Sequence, residues 1–261
     1  MISTQALSAI LSGTAVGFSL GIIGGGGSIL AVPLLLYVVG ITDAHVAIGT
    51  SALAVAVNAF VNLIGHWRAG TVHWTCALLF GSAGAFGAAI GSTLGKLVAS
   101  ENLLVLFALI MIVAGISALN PRRYGTDASI CLDKNVVWRL VRLGFAAGTV
   151  SGFFGIGGGF LIVPGIMFGS GLPILNAIGS SLFSVGLFAM ITAANYALSG
   201  FVAWKIAAEF IAGGAIGGFF GMRSALRLAP KKKALNYLFA SAVFVVAAYM
   251  LVRSGLGLVA D

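Results

Sequence analysis

Two glycine-rich motifs contain the residues of this chain that are best suited to bind a ligand. Residues 24–28 are Gly-Gly-Gly-Gly-Ser, and residues 155–159, 131 positions later, are Gly-Ile-Gly-Gly-Gly. Glycine lets a backbone approach a ligand closely, and a helix that starts just after Gly27 or Gly159 would present free N–H groups and a positive dipole end to an anion. The predicted anion-binding backbone comprises Gly24, Gly25, Gly26, Gly27, Ser28, Gly155, Gly157, Gly158 and Gly159.

Few polar side chains lie inside the apolar runs of the sequence. Thr50-Ser51 and Ser180-Ser181 recur 130 positions apart, early in matching runs. Their hydroxyls could donate hydrogen bonds to the oxygens of an anion, or they could bond back to helix carbonyls instead. We predict ligand contact by these four residues, and further candidates are Asn58, Asn62 and Asn195.

Other kinds of chemistry have little support in the sequence. It has no Cys/His metal cluster, no pair of carboxylates and no His-Glu-x-x-His motif, so we expect no catalytic residue, no metal and no cofactor, and the chain is predicted not to be an enzyme. Three histidines could titrate. His66 is the best placed of them, although its neighbours Trp67 and Arg68 favour the role of an interfacial anchor.

The composition excludes an ordinary soluble domain. Hydrophobic residues make up 60% of the 261 positions and charged residues only 8%, whereas about 25% is usual for charged residues in soluble proteins. The apolar runs mostly reach the ~20 residues that a spanning helix needs. They cover residues 4–41, 44–65, 74–99, 102–119, 136–172, 174–203, 206–229 and 234–252. The basic residues that give the net charge of +8 lie at the ends of these runs rather than along one face of a soluble module, which argues against nucleic acid as a partner.

The sequence repeats itself over almost its whole length. Gly70 matches Gly200 and Trp74 matches Trp204, both at the 130-residue spacing. We therefore assign residues 1–120 to a first transmembrane repeat, 121–135 to a cytoplasmic linker and 136–261 to a second transmembrane repeat. Glycines four positions apart, such as Gly13 and Gly17, predict surfaces for close helix packing. Long internal repeats are typical of secondary transporters.

The positions of the basic residues bear on how the repeats are oriented. Lys and Arg in short loops mark the cytoplasmic side, and they cluster between the halves and again after the 206–229 run. If both clusters are cytoplasmic, the 136–172 run must be a broken pair of helices. Each half would then contain a glycine-broken helix pair plus three spanning helices, and the second half would be inverted. If that run crosses once, the repeats are parallel.

The duplicated glycine motifs, Gly49-Thr50-Ser51 with Gly179-Ser180-Ser181, and the segments ending at Trp74 and Trp204 resemble the TauE/SafE family of sulfite and organosulfonate exporters. The resemblance spans both halves. It implies a multi-pass transporter of the bacterial inner (plasma) membrane that moves small sulfur oxyanions such as sulfite or sulfoacetate, driven by an ion gradient.

We therefore predict an all-α polytopic membrane protein that acts as a secondary transporter by alternating access around the glycine motifs. Its expected partners are a small sulfite-like or sulfonate anion and the lipid bilayer, with a proton as a possible coupling ion and a homo-oligomer as a possible assembly. Two alternatives stay open: a passive anion channel, and an importer of a related anion such as thiosulfate.

Overall fold

The described part of the chain is helical throughout. A computed structural model describes residues 4–99, 103, 106, 109, 112, 133–155 and 157–228, and no strand occurs among them. The linker 121–135 and the last apolar run of each half therefore lie largely or wholly outside the described residues. The helices are α1 (Thr4–Ile23), a 3₁₀-helix (Gly24–Leu30), α2 (Ala31–Tyr37), α3 (Ala44–Arg68), α4 (Trp74–Lys96), α5 (Lys134–Phe154), α6 (Gly159–Ser170), α7 (Ile174–Leu198) and α8 (Trp204–Leu228).

The prediction of a helical membrane protein is confirmed. Within the described ranges, five helical stretches are long and apolar enough to cross a bilayer: Thr4–Tyr37, Ala44–Arg68, Trp74–Lys96, Ile174–Leu198 and Trp204–Ala225. The first of these contains the first glycine motif. Helix α5 begins at Lys134, two residues before the apolar run that predicted it, because Asp133 caps this end by accepting the Lys134 N–H at 2.7 Å.

The long helices α3 and α7 start and stop at residues with clear local roles. Asp43 Oδ1 accepts the His45 N–H at 2.7 Å at the start of α3, and Pro173 occupies the capping position of α7. Both helices are followed by a glycine in the left-handed region, Gly70 with φ of +69° and Gly200 with φ of +78°. Such glycines turn the chain sharply at helix ends.

The chain reverses direction at each glycine motif. Gln5 Nε2, at the start of α1, donates to Val39 O at 3.3 Å, just beyond α2, whereas a continuous helix would separate these residues by about 50 Å. In the second half, a Cβ on Gly169 would lie 2.8 Å from Leu140 Cδ2, so α6 runs back along α5. The helix break predicted in the 136–172 run lies between Phe154 and Gly159.

The outer helices pair between the halves through glycine. In α1, methyl groups added at Gly13 and Gly17 would overlap the carbonyls of Phe210 and Gly214 in α8. The matching residues of α5, Gly144 and Gly148, meet the carbonyls of Phe80 and Gly84 in α4 in the same way. These stripes allow close backbone contact, the packing role that their four-residue spacing predicts.

The central helices α3 and α7 run antiparallel. Thr50, near the start of α3, accepts the N–H of Ala203, which follows the end of α7, at 2.9 Å. Ser180, near the start of α7, accepts the N–H of His73, which follows the end of α3, at 2.8 Å. The beginning of each helix therefore lies beside the end of the other.

Candidate functional site

The two glycine motifs are buried and meet each other. A Cβ on Gly159 would overlap the carbonyl carbon and oxygen of Gly25, so the two backbones are in direct contact. Val55 of α3 and Val185 of α7 flank this crossing, since a methyl on Gly157 would lie 3.0 Å from a Cγ1 atom of each. The glycine motifs form the tips of two helical hairpins, α1 with α2 and α5 with α6. Both hairpin tips lie between the two central helices.

The two motifs differ in local conformation. The first motif continues as a 3₁₀-helix to Leu30, and α2 begins at Ala31. The expectation of a helix directly after Gly27 is wrong at this point, since 3₁₀ turns commonly form the junction between helical segments. In the second motif Gly155, Gly157 and Gly158 are all left-handed, a conformation that side chains disfavour. Helix α6 begins at Gly159, as the sequence predicts.

Ser51 and Ser181 connect each central helix to the glycine motif of the other half. Ser51 Oγ lies 2.9 Å from Ile48 O in its own helix and 3.4 Å from Gly155 O. Ser181 Oγ donates to Ile178 O at 2.8 Å and accepts the N–H of Gly25 at 3.4 Å. Bonding back to helix carbonyls, one of the two alternatives that the sequence left open, thus occurs in both serines, and their contact with an anion stays a prediction.

Thr50 and Ser180 lie one residue before this pair and have other partners. Both are fully buried, and both hydroxyls accept the backbone N–H groups that precede α8 and α4. An N–H that is shielded from water and has no acceptor is costly, and these two are part-buried, so the hydroxyls stabilise the starts of α4 and α8. Contact between them and a ligand stays a prediction.

The remaining first-motif residue, Ser28, is also buried. Its Oγ donates to Gly25 O at 2.7 Å, within the 3₁₀-helix. Gly24, at the head of the motif, has φ of +72° and lies against α7, where a methyl would be 2.9 Å from Ser181 Oγ. The whole of the 24–28 motif is enclosed by protein.

Asn58 and Asn62 lie on α3 where it packs against α8. A Cβ on Gly214 would overlap the Asn58 amide, and one on Gly218 would overlap the Asn62 amide. Asn62 Nδ2 donates to Asn58 O at 2.8 Å. The Asn58 side chain is fully buried, and neither its Oδ1 nor its Nδ2 has a hydrogen-bond partner among the described residues.

The third predicted asparagine is not brought to the glycine motifs. Asn195 lies near the end of α7, where its Oδ1 accepts from Lys96 Nζ at 2.7 Å and its Nδ2 donates to Ser92 Oγ at 2.8 Å. Lys96 Nζ also donates to Ser199 Oγ at 2.9 Å. This cluster ties the end of α4 to the end of α7.

Ser151 is the residue at the motifs that the sequence prediction missed. It is fully buried in the last turn of α5, and its Oγ has no hydrogen-bond partner among the described residues. A Cβ on Gly158 would lie 2.7 Å from this oxygen. A chain reversal at the motif brings the preceding turn against it, which is the signal that could have identified Ser151.

The position of Ser151 matters because α6 begins beside it. Leu161 and Ile162 N–H groups already donate to Gly158 O, at 2.9 and 3.2 Å. The N–H groups that precede Leu161 have no partner within α6, as at any helix start. A buried hydroxyl and the positive end of a helix dipole therefore occur together at the second motif, an arrangement suited to an anion.

Comparison with known proteins identifies the family of this chain. The sequence profile described as "Sulfite exporter TauE/SafE" matches residues 9–250. The chain belongs to the TauE/SafE family. Its glycine motifs, central helices and α8 all lie within the matched region, so the hairpin crossing described above is a feature of a TauE/SafE protein.

Several curated relatives carry a transporter name. A "Probable membrane transporter protein" of Xylella fastidiosa strain Temecula1 is 49% identical over 256 residues, which cover 95% of this chain and 96% of the relative. A protein of the same name from strain 9a5c is 48% identical over the same shares. A similarly named protein of Bacillus subtilis strain 168 is 27% identical over 230 residues, covering 77% of this chain and 81% of that protein. No solved structure matches the chain.

These findings agree with the prediction of a membrane transporter. The family profile and the names of the relatives describe membrane transport rather than catalysis. The described residues contain no group of three or more His, Cys, Asp or Glu side chains that could hold a metal ion.

Proposed function

We propose that this TauE/SafE protein is a secondary transporter, expected to export small sulfur-containing anions such as sulfite or an organosulfonate across the bacterial inner membrane. The anion would bind at the glycine motifs, and alternating access would occur around that site. The observation that carries the proposal is the buried, unpartnered hydroxyl of Ser151 against Gly158 at the start of α6.

The chemistry of this site favours an anion over a cation. Helix α6 has 12 residues, so its start carries a substantial positive dipole end. The left-handed glycines leave the backbone without side chains, and an anion oxygen could accept from N–H groups and from the Ser151 hydroxyl together. A sulfite or sulfonate group, with three oxygens, can accept several such bonds at once.

Reciprocal contacts support two inverted repeats. Ser51 contacts Gly155 while Ser181 contacts Gly25, and the antiparallel α3 and α7 exchange their capping bonds in the same crosswise manner. An axis in the membrane plane relates halves of this kind, and inverted repeats place substrate sites at their interface. The crossing of Gly25 and Gly159 is at that interface.

The basic residues support a cytoplasmic location for one end of the bundle. Met222 packs against Gly65, so the ends of α3 and α8 lie together, and α5 starts beside the start of α4. This end carries Arg68, Lys134, Arg139, Arg142 and Arg223, whereas the described basic residues of the opposite end are Lys96 and Lys205. Lys and Arg favour the cytoplasmic side.

A matched pair of serine variants tests the proposed site. Ser151→Ala removes the hydroxyl at the motif, whereas Ser184→Ala removes an equally buried and unpartnered hydroxyl elsewhere, on the face of α7 toward Gly81. The assay is uptake of labelled sulfite into proteoliposomes, competed by sulfoacetate, thiosulfate and acetate. Loss of a hydrogen bond to a charged ligand should raise the half-saturating sulfite concentration about tenfold or more in Ser151→Ala alone.

Three results would count against the proposal. If the two variants change the half-saturating sulfite concentration equally, the Ser151 hydroxyl does not bind the anion at the second motif. Flux without saturation would favour a channel. The absence of sulfite-dependent flux, with flux of another anion, would move the substrate outside the sulfite class.

A further inference from the structure

His66 is a buried histidine whose two ring nitrogens both have partners. It lies in the last turn of α3 and is fully inaccessible to solvent. Nδ1 is 3.0 Å from Thr71 Oγ1, and Nε2 is 3.3 Å from Gly21 O. Gly21 is in the last turn of α1, three residues before the first glycine motif. The imidazole therefore joins α3 to the helix that leads into the first hairpin tip.

The turn after α3 places Thr71 over the imidazole. Gly70 is left-handed, which brings Thr71 back so that its N–H donates to His66 O at 3.1 Å. Thr71 Oγ1 is also 3.0 Å from the same carbonyl oxygen. The threonine hydroxyl thus has two possible acceptors, His66 O and the unprotonated Nδ1.

The neutral imidazole can satisfy every group at this site in one tautomer. Gly21 O can only accept, so Nε2 must carry the hydrogen and donate to it. Nδ1 then accepts from the Thr71 hydroxyl, and His66 O keeps the Thr71 N–H. The other neutral tautomer would point the Nε2 lone pair at the lone pairs of Gly21 O.

The protonated imidazole can satisfy every group as well. Nδ1–H would donate to Thr71 Oγ1, and the threonine hydroxyl would rotate to donate to His66 O at 3.0 Å. A carbonyl oxygen has two lone pairs and can hold both Thr71 donors. The positive charge would lie at the C-terminal ends of α1 and α3, where helix dipoles favour a cation.

We propose that His66 is the proton-binding site of this transporter, switched by rotation of the Thr71 hydroxyl. A proton that arrives from water adds to Nδ1, and it leaves by the reverse step. A hydrogen bond from a charged donor is stronger, so protonation would tighten the contact between Nε2 and Gly21 O and hold α1 against α3. This inference deepens the proposed function, and the role of His66 in coupling rests on that function.

The charged and titratable groups around His66 are few. Helix α1 has none, and its own helix carries the exposed Arg68 two residues later and His45 at the far end. On α8, Arg223 lies beside Met222, with its guanidinium 4.0 Å from the Phe219 ring, while Lys205 and Glu209 are at the opposite end. His73 lies in the following connection, and Tyr196 is on α7. Among the described residues of these elements the carboxylates are Asp43, at the start of α3, and Glu209, near the start of α8, and both lie at the end of the bundle opposite to His66.

The matching positions of the second half lack both the histidine and the threonine. Tyr196 stands 130 residues after His66 and is also fully buried, but its Oη has no hydrogen-bond partner among the described residues. Phe201 stands where the first half has Thr71, so no hydroxyl is available there. Only one half of the repeat can bind a proton in this way.

Protonation at His66 can be observed without any transport. Protein labelled with ¹⁵N-histidine in lipid nanodiscs has three imidazoles, which His45→Gln and His73→Gln assign. Between about pH 5 and 9, His66 should change from the Nε2–H tautomer to imidazolium. Detection of the Nδ1–H tautomer, or of no imidazolium over this range, would overturn the proposal.

A threonine pair tests the hydroxyl switch. Thr71→Val keeps the shape but removes the acceptor for Nδ1–H, whereas Thr71→Ser keeps the hydroxyl. Both forms of the ring lose a hydrogen bond at Nδ1 in Thr71→Val, and the charged donor loses the stronger one. At the pH where His66 is half protonated in the natural protein, the ratio of imidazolium to neutral ring should therefore fall about five- to tenfold in this variant. It should be restored in Thr71→Ser. Equal ratios in the two variants would refute the switch.

Transport measurements then test coupling. In proteoliposomes, an imposed proton gradient should raise net sulfite flux above the flux at equal pH in the natural protein and in His73→Gln, whereas in His66→Gln the measurable flux should be the same with and without the gradient. Gradient stimulation in His66→Gln equal to that of the natural protein would refute coupling. If the natural protein moves no sulfite, the proposed substrate fails, whereas the labelled-histidine titration still decides the proton site.

Discussion

Replacing Gly159 with alanine should separate the two hairpin tips. The added methyl would overlap Gly25 Cα, C and O, and backbone on both sides leaves no side chain to move aside. To restore ordinary contact, about 3.5 to 4 Å between carbon atoms, the tips must part by roughly 1.5 Å or more. The change therefore acts on the crossing at the centre of the proposed site.

The size of the effect follows from two opposing terms. Overpacking typically costs about 1 to 3 kcal/mol, and a backbone obstacle puts this site near the upper limit. Alanine recovers up to about 1 kcal/mol, since glycine is unfavourable in a helix. The net loss of about 2 kcal/mol corresponds to a decrease in melting temperature of about 4 to 8 °C, using the scaling for domains of similar length.

The matched control lies in the same helix. A methyl on Gly165 would meet only the edge of the Phe80 ring, at 3.0 Å from Cζ and 3.1 Å from Cε2, and a ring can shift by a few tenths of an ångström. The assay is thermal unfolding of purified protein in one detergent, followed by sulfite flux at a temperature where both variants are folded. A melting temperature for Gly159→Ala equal to or above that of Gly165→Ala would refute the backbone contact.

Two further predictions concern contacts between the halves. Thr50→Val leaves the part-buried N–H of Ala203 without its acceptor and should lower the free energy of unfolding by about 1 kcal/mol, whereas Thr50→Ser should change it little; equal melting temperatures for the two variants would contradict the capping role. Lys96→Met and Asn195→Ala should each destabilise the protein through the loss of the 2.7 Å bond between Nζ and Oδ1, and the double variant should lose less than the sum of the two. Full additivity would show that the two side chains contribute independently.

Local features of the fold were predictable because neighbouring residues determine them. Asp43 and Pro173 mark helix starts by their capping and backbone preferences, and the structure has both at those positions. The break in the 136–172 run follows from its length, since a single helix would exceed the bilayer core. The four-residue glycine spacing likewise predicted packing surfaces, although not the helices that cover them.

The candidate site was predictable in part. The sequence identified the two motifs and the serine pairs, but a repeat can align Ser51 with Ser181 without indicating which motif either one contacts. Asn195 was grouped with the other polar residues of the apolar runs, yet Lys96, 99 positions away, is its partner. Ser151 was missed since its proximity to Gly158 depends on the reversal of the chain.

The sequence by itself determined that this is a helical membrane protein with glycine-rich breaks in its apolar runs, because hydropathy, helix length and backbone freedom are properties of short segments. Tertiary structure decided that each half supplies partners for the other: Ser51 to Gly155, Ser181 to Gly25, and Gly25 against Gly159. It also placed the imidazole of His66 between Thr71 and Gly21. Such contacts depend on which helix faces pack together across more than a hundred residues of chain, and helical periodicity fixes the face of a helix but not its partner.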